Sequence, residues 1–189
     1  MTYAWLAVCV VVGACAHPPA SNPQEGNPVS SLQSPASDFE NVELGTFLKS
    51  SCSPEFTDFT TPGLMIRMPE RVTVPSGGEA RLPLCIAAQL TLAEVARYPH
   101  VFHPTHIVMV DDERGETFTG SLWKDRTFRP SPPPEGSPEE LETETVISFY
   151  NVNVLELLEE LPRRDARYQI YVMLDAHKSN VCVVEVKVE

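Results

Sequence analysis

Polar and apolar residues alternate most regularly in the last third of the chain. Cys182, Val184, Val186 and Val188 fall on one side and Glu185, Lys187 and Glu189 on the other, the two-residue period of a strand with one dry face. A slip of one residue would bury the charges, so the register is well specified. The run 168–174, rich in β-branched and aromatic residues, predicts a second strand, and AHKSN at 176–180 supplies the turn of a hairpin. Upstream, 143–160 reads as a third strand closed by a short helical turn. Further back, 64–90 predicts two strands joined at PSGG, the first broken by Pro69. Thr91 with Glu94 three residues on opens a short helix that Pro99 closes. A hairpin across DERG follows within 105–123. Five prolines between Pro130 and Pro138, with acids behind them, predict an exposed loop at about 124–142. The pattern gives an all-β chain with one or two helical turns. The segment 39–59 has only weak periodicity and no element is assigned to it.

Ahead of this domain the pattern changes twice. Residues 1–14 carry no Asp, Glu, Lys or Arg, and the apolar run 4–12 is too short to span a bilayer but suits a signal peptide. Residues 16–39 are heavy in Pro, Ser and Asn and cannot bury enough apolar surface to offset their ordering entropy. Three segments follow: a signal peptide over 1–14, a tether over 15–39, and one domain over 40–189, long enough for a single sizeable core.

Two stretches carry resemblances. The run ending VGAC, with Gly13 and Ala14 before Cys15, resembles the lipobox of bacterial lipoprotein precursors. That resemblance implies cleavage before Cys15, lipidation on it, and a protein held to the cell envelope by its acyl chains. Ala16 after the cysteine, where an Asp would favour inner-membrane retention, implies the outer membrane. The stretch DARY, with Asp165, Ala166 and Tyr168, resembles the corner before strand F of immunoglobulin-like sandwiches. YNVNVLELLEELP, YQIYVML and SNVCVVEVKV are similar to the last three strands of such domains in secreted bacterial proteins. The resemblance implies an immunoglobulin-like β-sandwich in which Tyr168 bonds back to the corner backbone. Ile170 stands where antibody domains place a cysteine, so the antibody-type disulfide is absent.

The net charge of −12 disfavours nucleic acid as a partner, and anionic lipid as a partner of the folded domain. The acidic runs at 139–144 and 156–160 read as solvated faces. Cys52, Cys85 and Cys182 remain in an oxidising compartment, enough for one disulfide and one leftover thiol. Cys182 shares the dry face of its strand, Cys85 lies out of phase with Leu82, Leu84 and Ile86, and Cys52 sits in a loop-like segment. Cys52–Cys85 is the favoured pair, with Cys52–Cys182 the alternative.

Three of the five histidines, His100, His103 and His106, recur at spacings of three in YPHVFHPTH. Three imidazoles can hold zinc or copper, yet Pro99 and Pro104 forbid a continuous helix, and an extended chain points neighbours three apart to opposite faces. No HExxH, GxSxG, P-loop, dinucleotide fingerprint or CxxC occurs. The expectation is a non-enzymatic envelope lipoprotein without a cofactor, contacting an envelope protein or glycan. A metal-binding lipoprotein using the three histidines is the alternative.

Overall fold

The computed structural model describes residues 36–56, 63–77, 79–98, 102, 104–123, 132 and 134–189. Cys15, His100, His103 and much of the proline-rich loop therefore lie outside the described residues.

The first strand, β1 (Gly63–Arg67), pairs antiparallel with β3 (Pro83–Thr91), and β3 pairs antiparallel with β6 (Thr145–Asn153), forming a three-stranded sheet. The second sheet runs β2 (Arg71–Val74), β9 (Cys182–Val188), β7 (Ala166–Leu174), β4 (His106–Asp111), β5 (Thr117–Ser121), with the two-residue β8 (His177–Lys178) paired to β7. Pro69 stands between β1 and β2. It cannot donate to a ladder, and the chain leaves one sheet and enters the other there. β2 then lies parallel to β9, with Val72 opposite Val186. The result is an all-β sandwich with short helices at its ends and edges.

The period of two sorts residues between the layers. Ile66, Leu84, Ile86, Leu90 and Tyr150 of the smaller sheet meet Ile107, Met109, Ile170, Val172 and Val184 of the larger one in a single core. Among the described residues there are four short helices: α1 (Ser37–Glu40), α2 (Leu92–Ala96), α3 (Pro138–Thr143) and α4 (Val154–Leu157). α2 carries the expected capping box, the Thr91 hydroxyl accepting from the Glu94 amide and the Glu94 carboxylate from the Thr91 amide. Ser137 and Glu140 build a second one on α3. Gly120 of β5 faces inward where a Cβ would stand 2.7 Å from the Leu157 carbonyl, so only glycine lets α4 approach.

The weakly patterned N-terminal segment takes a definite place on the outer face of the smaller sheet. Cys52 and Cys85 are joined as a disulfide with their Cα atoms 5.9 Å apart, and Phe39 and Val42 pack beside them in a second small core. Phe39 is buried although it falls within the stretch expected to be tether, because the apolar outer face at Cys85 offers it a partner.

The corner before β7 differs from the one its resemblance implies. Asp165 accepts the Val188 amide at 2.9 Å and the Lys187 ammonium at 3.2 Å, tying the corner to the last strand. The Tyr168 hydroxyl is buried with no partner among the described residues. Leu158 and Pro162 carbonyls, which line the corner, already accept the Leu161 and Arg164 amides. Arg164 meanwhile turns to the buried carboxylate of Asp111, 2.9 Å away.

Candidate binding face

Among the described residues no segment crosses the outer face of the larger sheet, where Val108 alone of the outward residues of β4, β7 and β9 is buried. Cross-strand register places Val108 beside Tyr171 and His106 beside Met173, while Ile107, Met109, Ile170 and Val172 point inward. Tyr171 carries the Lys178 ammonium 4.0 Å from its ring centroid, and Met173 is 37 % exposed. Towards β9 and β2 the face deepens into a groove of about 930 Å³ whose walls include Arg71, Asp165, Arg167, Glu185 and Lys187.

Charges along this groove form a chain of pairs. Arg71 reaches Glu185 at 2.7 Å, Lys187 lies 3.3 Å from Glu185 and 3.2 Å from Asp165, and Arg167 lies 3.3 Å from Asp112. The hydrogen bond from Arg71 holds the Glu185 carboxyl below its usual range. The Val188 amide does the same for Asp165, and the hydrogen bond to Asp165 raises the Lys187 ammonium. These shifts move every group away from neutrality, the reverse of what a general acid or base requires. They suit a surface that stays charged and presents fixed donors and acceptors.

At the far end of the groove Cys182 keeps a half-buried thiol. Burial pushes it up to about 11, and its sulfur lies 3.6 Å from the Ile66 carbonyl. A thiol held so far from its thiolate is a poor nucleophile. Asn180 next to it accepts the Ile66 amide at 2.8 Å and donates to the Ile66 carbonyl at 3.0 Å, closing the edge of β1 against the β8–β9 connection.

A second polar cluster holds α2 against the β7–β8 turn. His177 Nε2 lies 2.7 Å from Glu94, and the Tyr98 hydroxyl donates to Asp175. Asp175 sits at φ 49°, a left-handed turn conformation that Asp tolerates better than most residues. Although burial opposes it, the Thr91 amide and His177 together bring the Glu94 carboxyl below its ordinary value. Tyr98 is raised to about 12, chiefly by its bond to Asp175. The cluster is a clasp between α2 with the residues just after it and the β7–β8 turn.

Of the three histidines singled out in the sequence, His106 is exposed on β4, opposite Ser121 and Met173. Among the described residues no three His, Cys, Asp or Glu side chains are placed to hold a metal ion. Trp123 and Tyr150 join Phe47 and Phe102 in an aromatic cluster, with Phe47 stacked 4.4 Å from Tyr150 and Trp123 5.8 Å from Phe47.

Sequence reasoning did not find the groove. The outward charges of the last strand were legible in their period, but their partner Arg71 lies 114 residues away in sequence. The His177 to Glu94 pair was missed for the same reason, being joined only when the ends of β3 and β7 come together. Neither any family model nor any protein of curated function matches this chain.

Proposed function

We propose that the protein is a non-enzymatic envelope lipoprotein, anchored through Cys15, whose immunoglobulin-like domain binds another envelope protein or glycan on the open face of its larger sheet. The observation that carries the binding reading is that face itself, a broad grooved surface of Tyr171, Met173 and fixed ion pairs beside a sheet whose other face is filled by the core. Flat sheets bordered by aromatic and charged side chains suit contact with a second macromolecule. The strand order supports the immunoglobulin-like reading: a first strand split between sheets, its second half parallel to the last strand, and β9, β7, β4 and β5 side by side in the larger sheet while β3 and β6 pair in the smaller one. VGAC supports the anchor, and a polar segment behind it would hold the domain away from the bilayer.

Two measurements test the reading. Growth with labelled palmitate should label the wild type and leave Cys15→Ser unlabelled, and equal labelling would remove the anchor. The intact chain, isolated from detergent-solubilised envelopes, should co-purify a partner that the open-face variant Arg167→Glu/Tyr171→Ala loses. Retention of the same partner by that variant would move the binding site elsewhere.

A further inference from the structure

Among the described residues, the edge of the smaller sheet formed by β6 is closed at both ends and open between them. Asn151 exchanges backbone bonds with the N-terminal segment, its amide donating to Thr46 and its carbonyl accepting from Gly45. Because peptide groups alternate in direction along a strand, those of Thr145, Ile147 and Phe149 point the same way as those of Asn151, away from β3. Among the described residues nothing pairs with them. At the other end α3 finishes at Thr143 and its terminal turn is bonded to Glu144. The open ladder is therefore the uncharged run Thr-Val-Ile-Ser-Phe centred on Ile147.

Exposed apolar surface gathers at the same edge. Of the four large hydrophobic residues exposed among the described ones, Ile147 at 49 % lies in the ladder, and Phe47 at 39 % and Leu48 at 66 % lie in the segment that closes it. A long β-prone edge with an exposed isoleucine at its centre is an invitation to strand pairing that folded proteins ordinarily block with a charge or a proline.

We propose that this edge pairs with the same edge of a second copy, antiparallel about a two-fold axis through Ile147. That axis sets Ile147 against its own copy and Thr145 against Phe149 of the second copy. The three outward peptide pairs then exchange about six hydrogen bonds. The segments closing each edge fall outside the shared ladder. Charge fits as well: the Lys49 ammonium, in an exposed pair with Glu55 at 3.4 Å, lies 5.9 Å from the Phe149 ring, so at each end it stands on the side of the Thr145 end of the second copy, next to Glu144. The ladder has no charge of its own, and the acidic residues of α3 lie beyond its Thr145 end in each copy. With so short a ladder, association is weak in solution, on the order of micromolar. It strengthens where anchoring confines both copies to one surface.

The test uses the intact chain in mild detergent. Sedimentation velocity over a concentration series should show a monomer passing to a dimer. Ile147→Lys, whose charge would meet its own copy across the axis, should weaken association at least about tenfold while leaving the circular dichroism spectrum unchanged. Ile147→Thr, which keeps a β-branched residue, serves if the lysine variant fails to fold and should weaken association by a smaller factor. A photo-crosslinker at position 149 should join residue 145 of a second copy. A monomer at every concentration overturns the proposal. So do a dimer indifferent to both substitutions and crosslinks landing on another protein.

Discussion

The two sheets treat their outer faces in opposite ways. On the smaller sheet, Cys85 and Asn151 face outward and are covered by residues 36–56, with a disulfide, buried amide bonds and a small apolar core beneath. On the larger sheet, Glu185, Lys187, Arg167 and Tyr171 face outward and stay in solvent. One face is covered by the chain itself and the other, among the described residues, is exposed to solvent over most of its area. Where the polar groups of the covered face have buried partners, substitution should be costly. On the open face it should be nearly free of consequence for stability.

The largest effect should come from the disulfide. It closes a sequence separation of 33 residues, and cross-links of that length stabilise by about 4 kcal/mol, mainly by restricting the unfolded chain. The double variant Cys52→Ala/Cys85→Ala should lower the denaturant midpoint accordingly. A midpoint equal to that of the oxidised wild type would mean that the N-terminal segment is held by its other contacts.

Asn151 offers the next contrast. It is 1 % exposed, donates to the Leu48 carbonyl at 2.9 Å and accepts from Ser50 at 3.3 Å. Asn151→Ala leaves those groups buried without a partner and should cost about 2 kcal/mol. Gln169→Ala, on the open face, removes only an exposed bond to Asp112 and should cost under about 0.5 kcal/mol. Equal losses from the two substitutions would erase the distinction between the faces.

How much of this was legible beforehand follows from the range of each interaction. The strands at 166–174 and 182–188, the helix opened by Thr91 and the DERG hairpin were readable because period, capping and turn chemistry are local. Pro69 marked the crossing from one sheet to the other because a proline cannot remain in a ladder. The covering of the smaller sheet was only half legible. Cys85, out of phase with its strand, pointed to the outer face, yet 36–56 has no period because it crosses the sheet and joins its edge only at the single Thr46–Asn151 bridge. Asn151 and Asn153 read as ordinary strand residues in YNVNV. Their side chains bond Leu48, Ala80 and the amide of Leu82, contacts that exist only once distant loops arrive.

The clasp between α2 and the β7–β8 turn refines the comparison by its dependence on pH. Glu94 has its folded value below the ordinary 4.5. Its contribution is therefore present above pH about 4.5 and is lost as pH falls through the lower folded value. Glu94→Gln should be less stable than the wild type by at most about 1 kcal/mol near neutrality, with the two converging in acid. The disulfide variant should keep its deficit over the same range. A Glu94→Gln deficit that stays constant into acid would show that the carboxylate acts through shape alone.

The smallest effect is expected at Tyr168, and it separates two kinds of buried polar group. Asn151 beneath the covered face has its bonds made, whereas the Tyr168 hydroxyl, on the inner side of the larger sheet, is fully buried without a partner among the described residues. Burial raises its ionisation above the ordinary value, and the neighbouring Phe118 ring meets it edge-on at 6.4 Å. A hydroxyl taken from water with no bond gained is a cost to the folded state, so removing it while keeping the ring should forfeit nothing. Tyr168→Phe should leave the denaturant midpoint within about 0.5 kcal/mol of the wild type or raise it. A loss of about 1 kcal/mol, the usual worth of one such bond, would put the hydroxyl on the corner backbone after all. In that case Arg164 and Asp165 would have to hold the corner differently from the geometry that ties them to Asp111 and Val188.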